Sequence, residues 1–163
     1  MNHIWSPWRK EYIENHVPVD GCVFCNELKK PDGPENLVVY RGNWVFAILN
    51  RYPYTSGHLM IVPYAHLATL ELLDSPTRAE LIEMIAHATQ VLRAAYNPAG
   101  FNIGANVGGS AGAGVADHFH MHLVPRWSGD TNFMSTVSGT RVISEALDET
   151  YQRVFTTWST TKL

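Results

Sequence analysis

The sequence has few cysteines, little net charge and no long apolar segment. Its 163 residues include 2 cysteines and carry a formal net charge of -3. Two thiols are too few for a disulfide framework, which argues against a small disulfide-rich secreted protein. A nearly balanced charge gives no electrostatic sign of binding to nucleic acid or to a membrane surface. No apolar run approaches the roughly 18 residues of a membrane-spanning helix and no signal peptide is recognisable, so we expect a cytoplasmic protein with reduced thiols.

The composition is that of an ordinary globular domain, with 8 histidines as its unusual feature. Hydrophobic residues make up 45% of the chain and charged residues 17%, which argues against a disordered or fibrous protein. A chain of this length predicts a single domain over residues 1–163. We divide it into an irregular N-terminal segment (1–36), a core (37–127) and a C-terminal extension with a helix (128–163).

Periodicity in the sequence predicts an α+β fold built on an antiparallel sheet. Short apolar or alternating segments, separated by glycine, proline and asparagine, are typical of strands joined by hairpins and loops. The predicted strands are residues 37–40, 44–50, 57–64, 101–107 and 118–126. Since hairpin-linked strands are accompanied by only two amphipathic helices, we expect one five-stranded antiparallel sheet.

The two helices are indicated by apolar residues at helical spacing. A stripe that runs from Leu81 to Ala95 predicts one long helix with a buried face. Ser75 as the N-cap and Pro76 in the first helical position would begin this helix. A second helix is predicted near the C-terminus by Ile143, Leu147, Tyr151, Val154 and Trp158.

Three histidines at alternate positions are the first chemical signal. In a strand, His118, His120 and His122 would share one face, while Phe119 and Leu123 would point to the core on the other. Three imidazoles on one surface suit metal binding, anion binding, or a nucleophile with its helpers. The pattern by itself leaves a trihistidine metal site and a histidine nucleophile open.

A glycine-rich segment directly precedes these histidines. It begins at Asn106 and contains Gly108, Gly109, Gly112 and Gly114. Glycine lets the backbone approach a ligand closely, and the exposed amide groups of such loops bind phosphate. Phosphate binding next to imidazole favours phosphoryl or nucleotidyl transfer over a site that only binds metal.

The same residues resemble a known family. The segment 118–124, His-x-His-x-His followed by two apolar residues, resembles the signature of the histidine triad (HIT) nucleotide-binding proteins, as do residues 50–53 and 57–63. The resemblance covers roughly residues 20–127. Residues 4–9 and 125–133 resemble its diadenosine tetraphosphate phosphorylase branch. The resemblance implies a HIT-like fold, an adenine nucleotide or dinucleoside polyphosphate as the substrate, and a homodimer whose two sheets join.

The resemblance also implies roles for the residues around the phosphate. His120, the middle histidine, would be the nucleophile that attacks the α-phosphorus and forms a nucleotidyl-histidine intermediate. His122 would hydrogen-bond the phosphate or the leaving group. Asn106 and the backbone amides near Ala113 and Gly114 would hold the phosphate oxygens, which carry charge in the transition state.

The nucleoside would be bound by residues from the upstream strands. Asn50 would hydrogen-bond the ribose hydroxyls, and Phe46 and Ile48 share its strand face by alternation, so they would line the base pocket. Trp127 would close the phosphate end of the site.

Several alternatives stay open at this point. The phosphorylase branch tends to have a serine where this chain has Gly114, so either phosphate or water is left as the second acceptor. A phosphoramidase that releases AMP from an adenylated amine, and a non-catalytic nucleotide-binding protein, also fit the residues. A metalloenzyme that uses all three strand histidines is a further alternative.

The cysteines form a Cys-x-x-Cys pair at Cys22 and Cys25. By itself the pair fits half a zinc site, a redox dithiol or chance, although no βαβ unit supports the redox interpretation. Its resemblance to prokaryotic family members implies a structural Zn²⁺ bound by this pair with His66 and His118. His118 would then serve the metal, and the histidine chemistry requires neither a redox cofactor nor a catalytic metal.

Three further polar residues are expected to have structural or solvated positions. His58 begins a strand and is expected to be structural, with a minor role in the site left open. His87 lies on the long helix away from its apolar stripe, so we expect it to be solvated. Glu80 is expected on the solvated face of the same helix.

Overall fold

The computed structural model describes residues 21–130 and 145–162. The strands in these ranges are β1 (Val38–Arg41), β2 (Val45–Leu49), β3 (Leu59–Pro63), β4 (Gly100–Gly104) and β5 (Met121–Arg126). They form one antiparallel sheet of order β1-β2-β3-β5-β4. The helices are α1 (Val23–Glu27), α2 (Ser75–Tyr96) and α3 (Leu147–Thr160), with 3₁₀ turns at Leu70–Leu72 and Gly109–Ala111. The predicted α+β fold with a five-stranded antiparallel sheet is confirmed.

The helices α2 and α3 contact each other and the sheet. The apolar stripe of α2 is buried as its periodicity predicts, at Leu81, Ile85, Ala88 and Leu92. Helix α3 packs on β1, where the Trp158 ring stacks on the Tyr40 ring with their centroids 5.3 Å apart. None of the helices in the described part of the chain combines the length and the apolar character that a membrane crossing requires.

Helix α2 begins one residue earlier than the sequence predicts. Ser75 is the first helical residue, and Asp74 is the N-cap, whose carboxylate accepts the Thr77 N–H at 2.9 Å. The prediction of Ser75 as the cap was wrong because an aspartate directly before it satisfies the same unpaired amide group. Asn97, in the left-handed conformation at φ 46°, ends the helix.

Three other predicted boundaries were wrong. Strand β4 ends at Gly104 and not at residue 107. The N-terminal segment is not wholly irregular, since α1 lies within it. Strand β5 begins at Met121, so two of the three alternating histidines precede it. The reason is a hydrogen bond from the Phe119 N–H to the Leu67 carbonyl at 2.7 Å, which joins the chain there to the loop after β3. Residues 4–9, 131–133 and Ile143, which entered the sequence predictions, lie outside the described residues.

Glu80 is bound to the backbone and is not on a solvated face. Its carboxylate accepts N–H groups from Asn43 at 2.8 Å and Val45 at 3.0 Å in the β1–β2 hairpin, and also the Trp44 N–H. A side chain at Gly42 would place its Cβ 2.8 Å from a Glu80 oxygen, so the turn needs glycine at that position. The expectation of a solvated Glu80 was wrong because the hairpin leaves backbone donors that need an acceptor.

His87 is buried, contrary to the prediction. It is 3% exposed, and its ring meets the edge of the Trp158 ring of α3 at 5.1 Å. Among the described residues, neither His87 Nδ1 nor Trp158 Nε1 has a hydrogen-bond partner. Burial lowers the pKa of His87 below its usual value of 6.5. The α2 pattern did not reveal this because the residue is covered by α3, which is distant in the sequence.

We expect His87 to make the protein less stable in mild acid. In the unfolded chain the ring binds a proton as the pH falls through about 6.5, whereas the buried ring binds it only at lower pH. The free energy of unfolding therefore falls as the pH decreases from about 7 to 5. His87→Leu should weaken this dependence, as measured by urea denaturation across that range.

The matched control for this variant is Gln90→Leu, which changes an exposed residue of the same helix. This control should keep the pH dependence of the wild type. If the free energy of unfolding has the same pH dependence in His87→Leu and in the wild type, His87 is not the cause of the lower stability in mild acid.

Candidate functional site

Strand register places His122 in a row of residues on one face of the sheet. His122 lies opposite Met60 of β3 and Gly104 of β4, and Met60 in turn lies opposite Ile48 of β2. Residues that are directly opposite in an antiparallel pair share a face. The face that carries His122 is therefore also the face of Ile48, two strands away.

His120 is a buried imidazole held in one tautomer. It is 5% exposed, and its Nδ1 lies 2.9 Å from the His118 carbonyl oxygen. Since a carbonyl only accepts hydrogen bonds, Nδ1 carries the proton and Nε2 has the lone pair. Burial lowers the pKa of His120, so the ring is neutral near pH 7. A neutral imidazole with a fixed lone pair is suited to nucleophilic attack.

His122 is paired with His58. The Tyr54 N–H donates to His58 Nδ1 at 3.2 Å, so the His58 proton is on Nε2. This Nε2–H donates to His122 Nδ1 at 3.0 Å, which leaves the His122 proton on its own Nε2. Burial, and then the nearby His120, lower the pKa of His122 to about 4. His122 is therefore a neutral hydrogen-bond donor, and its ring centroid lies 4.9 Å from that of His120.

A cleft of about 320 Å³ with a mixed polar and apolar lining opens beside His122. On its far side, Arg126 donates to Asp130 at 2.8 Å and to Asn102 at 2.6 Å. The Arg126 guanidinium is therefore neutralised by a carboxylate of the same lining, and the His122 imidazole and the Asn106 amide are the donors that suit a phosphate. It is lined by Tyr54, Thr55, Asn102, Ile103, Gly104, Asn106, His122, Val124, Arg126 and Asp130.

The glycine-rich loop connects β4 to the histidines. Gly108 and Gly112 have φ values of +80° and +84°, which non-glycine residues rarely adopt. Asn106 lines the cleft with His122, and its Nδ2 donates to the Gly112 carbonyl at 3.5 Å. The Ala113 N–H donates within the loop, to the Gly108 carbonyl at 3.4 Å. Gly114 is exposed.

The four residues predicted to bind the nucleoside or to close the site are not among those that line the cleft. Phe46 and Ile48 are buried, and Phe46 stacks on Tyr64 at 5.4 Å. The Asn50 side-chain oxygen accepts a hydrogen bond from the Tyr52 N–H at 2.9 Å. Trp127 is half-buried, with its ring 6.4 Å from that of Tyr96. The roles that the sequence predicts for these four residues stay predictions.

Four potential metal-ligand atoms, one of them from His118, lie close together. The Sγ atoms of Cys22 and Cys25 and the Nδ1 atoms of His66 and His118 all lie within 4.8 Å of one another. The His118 Nδ1 is 3.2 Å from Cys22 Sγ and 3.7 Å from Cys25 Sγ, and His66 Nδ1 is 3.5 Å from Cys25 Sγ. We call these four residues the Cys2His2 set.

The Cys2His2 set fits a tetrahedral zinc ion. Zn–S bonds of about 2.3 Å and Zn–N bonds of about 2.0 Å give ligand atoms roughly 3.5 Å apart, close to the spacing found here. The His118 Nε2 lies 2.8 Å from the Pro63 carbonyl, so its proton is on Nε2 and its Nδ1 lone pair faces the thiols. Such an outer hydrogen bond is usual for a metal-bound histidine.

The three alternating histidines do not form one metal site. His118 Nδ1 faces the cysteines, whereas His122 Nδ1 faces His58. Within residues 21–130 and 145–162, the Cys2His2 set is the only cluster of potential metal ligands found. This division of the three imidazoles removes the geometric basis for a trihistidine metalloenzyme.

Sequence reasoning missed two neighbours of the site. His58 was expected to be structural, with a minor role in the site left open, and its hydrogen bond to His122 was not predicted. Phe24 received no role, yet its ring lies 5.0 Å from that of His120. The only sequence signals were a histidine after Gly57 and an apolar residue between two cysteines, and neither indicates a specific contact.

Comparison with known proteins gives a family for these features. The family model described as "HIT domain" matches residues 33–129. The chain is 39% identical over 166 aligned residues to a Mycobacterium tuberculosis protein named AP-4-A phosphorylase, and the alignment covers 98% of this chain and 85% of that protein.

Solved structures agree with the fold. A zinc-bound histidine triad family protein from Mycobacterium smegmatis has a TM-score of 0.69 at 23% identity, covering 86% of this chain and 94% of its own. A hypothetical histidine triad nucleotide-binding protein from Sulfolobus tokodaii also has a TM-score of 0.69, at 26% identity, covering 85% and 93% of the two chains.

Proposed function

Because this chain belongs to the HIT domain family, we propose that it cleaves dinucleoside polyphosphates by transferring a nucleotidyl group through His120. The chain is a nucleotide-processing enzyme of that family. The observation that carries the specific proposal is the hydrogen bond from His120 Nδ1 to the His118 carbonyl, which leaves Nε2 as the lone-pair nitrogen. The near-complete alignment with an AP-4-A phosphorylase supports diadenosine tetraphosphate as the first substrate to test.

The first step forms a bond between His120 Nε2 and the α-phosphorus. The bond from that phosphorus to the bridging oxygen breaks, and its electron pair leaves with the polyphosphate product. The His122 Nε2–H would donate to a phosphate oxygen or to the leaving oxygen. Asn106 lines the same cleft and supplies a second donor, while the amides near Ala113 and Gly114 would complete the phosphate site.

The second step returns His120 to its starting state. An oxygen of inorganic phosphate attacks the α-phosphorus, the P–N bond breaks, and Nε2 recovers its lone pair. Water would complete the same cycle as a hydrolysis, so the two acceptors differ only in the product. The His118 carbonyl accepts the Nδ1–H throughout, which stabilises the positive charge that the ring carries in the intermediate.

The Cys2His2 set would hold a structural Zn²⁺. A zinc ion with four protein ligands has no open position for water or substrate, so it would supply folding free energy and no chemistry to the reaction. Cys22, Cys25 and His66 would be tied in this way to the segment that carries His120. No redox cofactor is part of the proposal.

The remaining parts of the proposal concern nucleoside binding and assembly. Asn50 would bind the ribose, Phe46 and Ile48 the base, and Trp127 would close the phosphate end. Strand β4 lies at the edge of the sheet with Ile103 49% exposed, which supports a homodimer joined through this edge. Its thiols would stay reduced in the cytoplasm, where we expect the protein to act. Residues 1–163 would form one domain.

The function is tested by product analysis. The protein is incubated with diadenosine tetraphosphate, with and without inorganic phosphate, and the nucleotides are separated by anion exchange. ADP and ATP formed only with phosphate would establish phosphorolysis. AMP and ATP formed without phosphate would establish hydrolysis, and the absence of cleavage in both reactions would contradict the proposal.

We expect His58→Phe to lower kcat about 10-fold, equivalent to about 1.4 kcal/mol. The phenyl ring keeps the apolar volume but cannot donate to His122 Nδ1, so His122 loses the contact that fixes its proton on Nε2. His58→Asn keeps an N–H donor and should recover part of the loss. Steady-state kinetics with diadenosine tetraphosphate measure both variants, and an unchanged kcat for His58→Phe would contradict the role.

A further inference from the structure

Helix α1 belongs in part to the Cys2His2 set and also contacts the proposed nucleophile. Cys22 is its N-cap and Cys25 lies within it, while Phe24 between them is 4% exposed. The Phe24 ring meets the His118 ring edge-on at 5.4 Å and the His120 ring at 5.0 Å. This five-residue helix and its N-cap therefore supply both thiols and an aromatic contact to the nucleophile.

His118 connects the same two sites through its backbone. Its side-chain Nδ1 faces the thiols, and its carbonyl oxygen accepts the His120 Nδ1–H at 2.9 Å. The His120 imidazole is thus held by two groups that belong to the metal-ligand segments: the His118 carbonyl at Nδ1, and the Phe24 ring against its side.

Helix α1 cannot hold this position by its own stability. It has five residues, and its N-cap side chain makes no capping hydrogen bond. A helix much shorter than about 12 residues is unstable by itself, so tertiary contacts must fix its place. The thiols of Cys22, the N-cap, and of Cys25 within the helix are the groups that a metal would bind directly.

We propose that Phe24 is a positioning residue for His120, and that metal binding by the Cys2His2 set fixes Phe24 in place. The proposal deepens the proposed function, on which it rests for the role of His120 as the nucleophile. Zinc would act on the reaction only through the orientation of a neighbouring imidazole.

The test compares Phe24→Leu with Phe119→Leu in the full-length zinc-loaded protein. Phe119 is also 4% exposed and lies between His118 and His120 in the sequence. No ring contact between Phe119 and a histidine occurs in the part of the chain that the structure describes. Both variants remove the same aromatic volume from the core, so a difference between them reports contact with the nucleophile. Phe24→Met, whose flexible side chain adapts to irregular gaps in a core, is made in parallel in case the leucine variant fails to fold.

The first readout needs no substrate. Histidine side chains are labelled with ¹⁵N, and the ring tautomers are resolved by NMR at one fixed pH. The wild type should show His120 protonated at Nδ1 only. Phe24→Leu should add a second His120 tautomer on the order of 10%, whereas Phe119→Leu should not.

The second readout is kinetic, with diadenosine tetraphosphate. Phe24→Leu should lower kcat about 10-fold and leave KM within about 3-fold, because a misoriented nucleophile affects the chemical step and not substrate binding. Phe119→Leu should leave kcat within about 3-fold of the wild type.

Metal removal supplies the coupling test. Chelation of the wild type should change the His120 tautomer as Phe24→Leu does, and chelation of Phe24→Leu should add little, since the two changes act on one contact. If chelation and Phe24→Leu change the His120 tautomer additively, metal binding does not act through Phe24. Equal His120 spectra for Phe24→Leu and Phe119→Leu would contradict the positioning role of Phe24. Absence of turnover in the wild type, with the NMR differences present, would contradict the proposed function and leave the positioning role supported.

Discussion

Replacing His120 by asparagine should lower the turnover of diadenosine tetraphosphate by on the order of 10³-fold or more. The asparagine amide can still donate to the His118 carbonyl, so the local backbone is expected to remain as it is. The variant has no nitrogen lone pair for attack on phosphorus. Melting temperature and zinc content should therefore match the wild type while turnover is lost.

Trapping of the nucleotidyl-enzyme intermediate distinguishes a nucleophilic role of His120 from a role in substrate binding alone. Wild-type protein that is quenched during turnover of α-³²P-labelled substrate should carry an acid-labile nucleotidyl group. His120→Asn should carry none, although it should still bind the nucleotide. His122→Asn serves as the comparison, because it retains the nucleophile and should form the intermediate slowly. A fall of less than about 10-fold in His120→Asn turnover would exclude His120 as the nucleophile.

Removal of the two thiols should produce the largest change in stability. The protein is expected to contain about one zinc per chain, since four donors form one tetrahedral set. Cys22→Ser with Cys25→Ser should abolish zinc binding and lower the melting temperature by about 6 °C or more, because a loss of ~3 kcal/mol in a protein of this size corresponds to roughly 6–12 °C. Elemental analysis and calorimetry measure the two effects.

His66→Gln distinguishes loss of metal from damage to the core. His66 is exposed, so its replacement removes a ligand without leaving a cavity. Ala65→Gln changes the exposed residue beside it and should behave as the wild type. Chelation should lower the melting temperature of the wild type and of Ala65→Gln, but not that of the thiol-free protein. Wild-type protein purified without chelators that contains no zinc would contradict the assignment.

Local sequence patterns predicted the elements whose causes are themselves local. The α2 stripe is visible because a helix repeats every 3.6 residues, and Leu81, Ile85, Ala88 and Leu92 are indeed buried. The strands predicted at residues 37–40 and 44–50 were likewise visible in local patterns, and β1 and β2 pair there as a hairpin. The alternating histidines, with residues 50–53 and 57–63, indicated the family because the spacing of the histidines is specific in itself.

Contacts between distant segments were not predictable in this way. His87 was expected to be solvated, since nothing in α2 indicates that Trp158 of α3 covers it. Glu80 likewise received a solvated position because its partners, the amides of the β1–β2 hairpin, are 35 to 37 residues away. Such pairings depend on how the elements pack, which a periodic pattern does not encode.

The sequence by itself determined the chemistry that is available: three alternating imidazoles, a glycine loop and a thiol pair. Only the tertiary structure decided how these groups are divided. His118 faces Cys22, 96 residues away, and His122 faces His58, 64 residues away. The physical reason is that hydrogen-bond geometry fixes the proton of each imidazole, and this geometry exists only after β3, β5 and α1 have come together.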